Sequence, residues 1–402
     1  MATEKKTESS YQPKIGVIGI GGGGGSIVSE IAKSLNRKKI PNLSKIKFIV
    51  ANVDQQSLKS VPKQVGTFYF GEKVTHGLGC GMNPELGEQS AIGARTKIDK
   101  ILNKCDLCIF VSSLGGGTGS GASPVFTQAA KELGILSLGI FTMPFTFEGT
   151  ERTRIARNSL DKAKENLNAY VVLPNQRIFK LIDENTPIQK SLSSMNDVLA
   201  GTLEGLIETL YQPGLINLDF SDFRATLNKE KGMAYLNSQE FSGKDRADKI
   251  AENILNNPLI DYKIEVVERI LFNIQGSKDI KLSEVTKIAE KICSLNPRAK
   301  IIFGVNPDSS IKNKIKITLL AVGDKKPKPK PKPKPKKVIV KEEVKPEIKK
   351  PKPKPKPKKI VVEKEVVRKN ALDLHKQVEE LESKLLEEES KWDIPTFLRE
   401  KE

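Results

Sequence analysis

The stretch CDLCIFVSSLGGGTGSGASPVFTQAAKEL, residues 105–133, reads as an apolar strand, a glycine-rich loop and a helix in immediate succession. The run 105–113 is apolar almost throughout, as a strand buried on both faces requires. The loop sets Gly115, Gly116, Gly117, Thr118, Gly119 and Ser120 just ahead of the helical pattern at 123–133. A helix N-terminus favours negative charge, and glycine lets backbone N–H groups approach a phosphate closely. A second unit is built alike, from the strand IGVIGI (15–20), the loop GIGGGGGS (19–26) and the helix SIVSEIAKSL (26–35).

Taken alone, the first loop also satisfies the GxGxxG pattern of dinucleotide sites, with Asp54 at the end of KIKFIVANVD (45–54) as a ribose-binding acid. A dinucleotide site needs one such loop, and this chain has two in different strand–helix units. Both would lie at the carboxyl ends of the strands, where open α/β sheets bind ligands. Together they can wrap a polyphosphate, with the Thr118 and Ser120 hydroxyls as further donors or a Mg²⁺ contact. Two unrelated flexible loops would be a poor use of sequence, because glycine runs cost backbone entropy. Neither loop is followed by the GK[ST] of a P-loop enzyme.

Outward from these loops, ILSLGIFTMP (135–144) and AYVVLPN (169–175) read as further strands, and RIARNSLDKAKENL (154–167) as a helix. Apolar strands alternating with helices imply a parallel sheet covered on both faces. Ile188, Leu192, Met195, Leu199, Leu203, Leu206 and Leu210 then recur at helical spacing, and Pro213-Gly214 ends the run. Strand-like runs at 268–274, 300–306 and 315–323 form a second α/β block. The expected organisation is an N-terminal extension (1–13), a nucleotide domain (14–185), a connecting helix (186–212) and a smaller α/β domain (213–323). Beyond it come a Pro/Lys linker (324–370), a short amphipathic helix (371–390) and a terminal peptide (391–402). The linker repeats itself, PKPKPKPKKVIVKEEV (329–344) against PKPKPKPKKIVVEKEV (351–366), and such a sequence cannot pack a core.

The net charge of +18 sits largely in that linker, which holds 20 basic and 6 acidic side chains. The excess therefore describes a spacer rather than a nucleic-acid-binding face, and the basic residues lack interleaved aromatics. No signal peptide or membrane span is evident, so a cytoplasmic protein with reduced thiols is expected. Cys105 and Cys108 have the spacing of a redox or zinc pair. Strand alternation would turn them to opposite faces, no second CxxC exists, and His76 is at no ligand spacing.

The heptapeptide GGGTGSG (115–121) resembles the signature of the tubulin/FtsZ family. Further matches follow in the family's order: GIGGGGGS, ANVDQQ (51–56), GLGCGMNPELG (77–87), PFTFEG (144–149), LPNQ (173–176), MNDVL (195–199) and PGLINLDFSDFR (213–224). They span about residues 14–323 and favour the FtsZ branch over eukaryotic tubulin. The resemblance implies a GTP/GDP site in which Gly22, Gly23, Gly24, Gly25 and Ser26 join the second glycine loop around the phosphates. Asn52, Asp54, Gly79 and Gly81 complete that shell, Glu148 and Arg152 meet the ribose and phosphate region, and Asn175, Asn196 and Asp197 read the guanine edge. It also implies a head-to-tail homopolymer in which Asn217, Asp219 and Asp222 enter the next subunit's site, orient the attacking water and help to hold a cation. Mg²⁺ is the expected ion and K⁺ the alternative, with their ligands unassigned.

WDIPTFLRE (392–400) resembles the family's tail peptide. Asp393, Ile394, Pro395, Phe397, Leu398 and Arg399 would dock onto membrane tethers and division regulators such as FtsA-like proteins, while the linker lysines touch anionic lipid or nucleic acid weakly. Four positions depart from the family's pattern: Ser26 stands for Asn, Val53 for Thr, Ser113 for Gly, and Leu192 for a Phe that stacks on the base. Losing that ring costs about 1–3 kcal/mol by analogy with base–aromatic stacking. The alternatives are a nucleotide-binding scaffold of the same family without turnover, a dinucleotide-dependent oxidoreductase and a nucleic-acid-binding protein.

Overall fold

A computed structural model describes residues 13–323, except 39–42, 184, 213, 229–231, 261, 263–266, 309–310 and 312. The linker, the amphipathic helix and the tail peptide fall outside the described residues. The chain begins with β1 (Ile15–Ile20), α1 (Gly21–Lys38), β2 (Ile46–Asn52), α2 (Gln55–Lys59) and β3 (Gly66–Tyr69). Three helices, α3 (Glu72–Thr75), α4 (Pro84–Gly93) and α5 (Arg95–Leu102), precede β4 (Leu107–Ser113). Then follow α6 (Gly117–Glu132), β5 (Leu136–Met143), α7 (Thr150–Lys164), β6 (Ala169–Pro174) and the long α8 (Ile188–Tyr211). The last part comprises α9 (Phe220–Leu227), β7 (Gly232–Ser242), α10 (Arg246–Asn253), β8 (Val267–Gly276), α11 (Leu282–Leu295), β9 (Lys300–Pro307) and β10 (Lys314–Gly323).

All ten strands join one sheet in the order β3-β2-β1-β4-β5-β6-β7-β10-β8-β9. From β3 to β7 every pairing is parallel, and β10 runs antiparallel between β7 and β8. The first six strands repeat the 3-2-1-4-5-6 order of doubly wound folds. The sequence expectation of a parallel sheet with a second block therefore holds, and the two blocks share the sheet. The seam is narrow: among the described residues only Ala169–Gly232 and Tyr170–Met233 pair β6 to β7.

In β1 and β4 nearly every residue is buried, so Val17, Ile18, Ile109, Phe110 and Val111 are enclosed from both faces. That is why these strands read as unbroken apolar runs. On α8, Met195, Leu199, Leu203, Leu206 and Ile207 form the buried stripe, each worth about 1.5–3 kcal/mol when fully enclosed. The same helix carries two buried carboxylates, Glu204 and Glu208, and the Lys316 ammonium of β10 reaches both. This bridge ties the connecting helix to the C-terminal strands. Burial raises the Glu208 carboxyl above its ordinary range, with the Lys316 charge opposing that rise.

Lys316→Met should leave Glu208 buried without its counter-charge and lower stability by about 3–5 kcal/mol at neutral pH. A carboxyl raised in the folded state holds its proton where the unfolded one has lost it. Stability contributed by this group is therefore full at low pH and falls as pH rises through that window. The variant's deficit should accordingly shrink on acidification, and Glu208→Gln should rescue it. Urea unfolding between pH 4.5 and 7.5 checks both; a pH-independent deficit would contradict the assignment.

Candidate functional site

Parallel strands send all their carboxyl ends to one edge, and β1 and β4 are neighbours whose connections leave in opposite directions. Between them lies the switch point at which such sheets bind ligands. Both glycine loops sit there. A Cβ at Gly21, whose φ is +74°, would lie 2.9 Å from the Gly119 nitrogen, so the starts of α1 and α6 meet backbone to backbone. The glycines divide into two roles. Gly22 and Gly116 face open space, whereas a side chain on Gly24 would strike the Val111 carbonyl and one on Gly121 the Pro84 carbonyl.

Ser113 is accommodated by the same economy of space. Its Oγ lies where a side chain on Gly23 would be, so a hydroxymethyl group on β4 fits against a bare α1. Ser120 is buried, and its Oγ accepts the Gly115 N–H at 2.8 Å, bracing the loop from inside. Pro124 within α6 has no N–H for the Ser120 carbonyl four residues earlier, and Ser159 of α7 donates to it instead at 2.6 Å. Thr118 is half-buried beside Cys80, whose thiol burial pushes up while the Thr118 hydrogen bond opposes the shift.

The other expected residues gather around these loops. Gly21, Gly22, Gly25, Ser26 and Asn52 line an open cleft of about 430 Å³ that runs along α1 to Glu30 and Lys33. Ser26 Oγ donates back to the Gly22 carbonyl at 3.1 Å. Asn52 Oδ1 accepts the N–H of Val53 at 2.9 Å. Gly79 and Gly81 both have positive φ, in a loop whose Cys80 and Asn83 pack against Gly117. Arg152 packs its backbone against Gly115 and pairs with Glu148, whose other oxygen accepts the Phe145 N–H at 2.8 Å. Asn196 Nδ2 donates to Glu30 at 3.3 Å, and Asp197 beside it is exposed. The side chain of Leu192 lies outside what the structure describes.

Asp54 has another employment. It is the N-cap of α2, accepting from Gln56 N–H at 2.9 Å, from Ser57 N–H at 3.3 Å and from the Ser57 hydroxyl. The Ser57 hydroxyl chiefly holds this carboxyl below its ordinary value. A carboxylate committed to its own helix is a poor ribose acid, which removes the support the dinucleotide reading drew from it. Asn175, at the carboxyl end of β6, has a buried Oδ1 without a protein partner. Such an orphaned acceptor beside the loops fits a ligand with N–H or O–H donors. Two facing helix N-termini and exposed backbone at Gly22 and Gly116 fit a phosphate chain. Among the described residues no cluster of three or more His, Cys, Asp or Glu could hold a metal.

Asn217, Asp219 and Asp222 lie elsewhere. At the end of α8 the Tyr211 hydroxyl donates to the Pro13 carbonyl at 2.5 Å, just before β1. The loop that follows is therefore at the amino edge of the sheet, and the six residues of β1 separate it from Gly21 by about 20 Å. Asp219 and Asp222 cap α9 reciprocally: Asp219 Oδ1 accepts the Asp222 N–H at 2.8 Å and Asp222 Oδ2 the Asp219 N–H at 3.2 Å. One oxygen of each carboxylate is thus used locally. Asn217 Oδ1 accepts the Gly214 N–H at 3.3 Å.

Three residues that sequence reading passed over hold this loop in place. Asn306 Nδ2 donates to the Gln212 carbonyl at 2.8 Å, and Gln275 Nε2 to the Gln212 side chain at 3.1 Å. Leu215 and Ile216 bond by backbone to Val305. Buried amides within apolar strands carry no periodic signal, so nothing in the pattern singles them out.

The model of the tubulin/FtsZ family GTPase domain matches residues 14–183, and that of the FtsZ family C-terminal domain residues 232–325. The cell division protein FtsZ of Pseudomonas aeruginosa is 34% identical over 313 residues, covering 77% of each chain. The cell division protein FtsZ 1 of Thermococcus kodakarensis is 34% identical over 343 residues, covering 85% of this chain and 89% of its own. A solved FtsZ dimer from M. jannaschii superposes with a TM-score of 0.69 at 30% identity, over 78% of this chain and 89% of that one.

Asn306→Leu should remove the donor to Gln212 while keeping the branched shape of the side chain. The expected loss is about 1 kcal/mol, for a lost hydrogen bond to a half-buried carbonyl, with faster proteolysis at residues 214–218. Denaturant unfolding and limited digestion check this; unchanged digestion would mean that Asn306 does not hold the loop.

Proposed function

This chain belongs to the tubulin/FtsZ family, and on that premise we propose that it is a GTPase that assembles head to tail and hydrolyses GTP between subunits, forming the cytoskeletal ring of cell division. The observation that carries the reading is the separation of the two half-sites. The phosphate cradle lies at the carboxyl edge of the sheet and the carboxylates at the amino edge, so one subunit alone cannot bring them together. A second copy stacked in the same direction can, and repetition gives an open filament.

Both edges are dressed for contact. Leu78, Met82 and Phe147 are exposed beside the nucleotide loops, and Leu215 and Ile216 are exposed on the acidic loop. Exposed apolar groups of this size at two opposed surfaces favour association. The description of the M. jannaschii relative as a dimer points the same way.

In this reading the N-termini of α1 and α6 bind the phosphates, while Arg152 and Glu148 border the ribose. Asn175, Asn196 and Asp197 meet the base. The Asn175 acceptor is suited to a donor on the ligand, and Asp197 to the donor edge of guanine. Transfer of the γ-phosphoryl group to water needs an in-line water and stabilised charge more than covalent help. The incoming Asp219 and Asp222 orient that water and take up its proton, and Asn217 fixes the loop that presents them. A cation would rest on phosphate oxygens, water and Thr118; Mg²⁺ suits that oxygen set, with K⁺ the alternative.

The work is done in the cytoplasm at the division site, with the peptide 393–399 reaching membrane tethers through the linker. A long leash raises the effective concentration of such a peptide near its partner. No described helix is long and apolar enough to cross a membrane.

Asp219→Asn and Asp222→Asn keep an acceptor for the helix cap and remove one charge each. Each should bind GTP with unchanged affinity and lose hydrolysis by about 10²-fold or more, the scale of a lost catalytic group. In the parent, phosphate release per molecule should rise with protein concentration through the assembly range. Turnover that is flat with concentration, or charge-neutral variants that hydrolyse normally, would remove the shared site.

A further inference from the structure

Cys105 and Cys108 were expected on opposite faces of a strand, and the structure places them together. The N–H groups of Asp106 and Leu107 both donate to the Lys14 carbonyl, at 2.8 and 3.3 Å. Cys105 lies in the turn that closes on the Leu102 carbonyl, ahead of the first β4 residue, Leu107, so strand alternation does not set its facing. Gly16, paired with Cys108 in the sheet, provides the space. A Cβ there would lie 2.7 Å from the Cys105 sulfur and 3.7 Å from the Cys108 sulfur, so both sulfurs sit over one backbone atom.

The two thiols are unequal. Cys105 is the outer one, 9% exposed, and Cys108 is fully enclosed. The contact with Cys108 chiefly lowers the Cys105 thiol, with the Lys47 and Lys14 ammonium groups helping and burial and the Asp106 carboxylate opposing. The Cys105 thiol also lies 3.9 Å from the Ile101 carbonyl, to which it donates. The same contact and burial raise Cys108 well above its ordinary value. Cys80 and Cys293 are both pushed up by burial. Cys105 is therefore the cysteine with the most thiolate character, and a second sulfur adjoins it. An attacking thiolate beside a resolving thiol is the arrangement of dithiol exchange.

We propose that Cys105 and Cys108 form a redox-modifiable dithiol, which a low-molecular-weight disulfide RSSR converts into an intramolecular disulfide at the foot of β4. The Cys105 thiolate attacks one sulfur of RSSR, forming a mixed disulfide and expelling RS⁻, which takes a proton. The Cys108 sulfur then attacks Cys105, its proton leaving with the second RS⁻. The protein loses two electrons and two protons, and RSSR becomes two RSH.

The test treats the full-length protein with oxidised glutathione under native conditions and follows intact mass, circular dichroism and differential alkylation. The expected product is folded, lighter by two hydrogens, and blocked at Cys105 and Cys108 together, with recovery by dithiothreitol. Cys108→Ser should stop at one mixed disulfide on Cys105, and Cys105→Ser should leave Cys108 unmodified. The proposal is overturned if both thiols stay unmodified until the fold is lost, if Cys80 or Cys293 reacts in their place, or if the only disulfides join separate chains. Failure of Cys108→Ser to trap the mixed disulfide would equally remove the assigned order of attack.

Discussion

The shared direction of the strands from β3 to β7 is the constraint on which the rest depends. A parallel sheet is polar as an object, because every strand delivers its carboxyl end to the same edge. Loops that follow strands gather there, and loops that precede strands gather opposite. The glycine loops after β1 and β4 thus become neighbours without any pairing signal between them in the sequence. The loop after α8 is sent to the far edge by the same rule, since a helix that starts beyond β6 must run back across the sheet. Topology thus holds the glycine loops and the carboxylates of Asp219 and Asp222 at opposite edges of one sheet.

Polarity alone would not keep the edges in register. That falls to α8, held at one end by Tyr211 on Pro13 and along its length by Lys316 between Glu204 and Glu208. A buried ion bridge is weak evidence of net stability, because desolvation offsets attraction. Its value here is geometric: an ammonium bonded to Glu208 and 3.8 Å from Glu204 fixes the helix against β10 in one register. The narrow β6–β7 seam makes such a fixing useful, because among the described residues the sheet itself offers two pairs there.

Much of this was legible in residue order. The strands 15–20, 107–113 and 136–143 are apolar on both faces, so a periodicity rule finds them, and α8 shows its stripe within one residue of its observed bounds. What escaped has identifiable causes. The helix α1 begins at Gly21, five residues before the pattern suggests, because the glycines of the loop wind into its first turn. The strand β3 has only four residues, too few for any alternation. β7 reads GMAYLNSQEFS, and its buried Asn237 answers to Tyr235 and Ile254 rather than to a hydrophobic count. The apolar run from Cys105 reads as strand throughout, but β4 starts only at Leu107, so Cys105 falls in the preceding turn and escapes the alternation that would set it opposite Cys108.

The candidate site was legible in its parts and not in its divisions of labour. Glycine runs announce close backbone approach, yet only the structure separates Gly22 and Gly116, open toward a ligand, from Gly24 and Gly121, closed against carbonyls. A family signature therefore mixes two pressures in one string. Some of its glycines face open space, and others leave room for the protein's own backbone. The same mixing explains Asp54, whose position beside the loops suggests a ligand contact while its hydrogen bonds serve α2. Near a nucleotide site proximity is cheap, because so many elements end at one edge. The unspent acceptor of Asn175 is more informative than its position, since a buried carbonyl oxygen without a donor is costly unless something else supplies one.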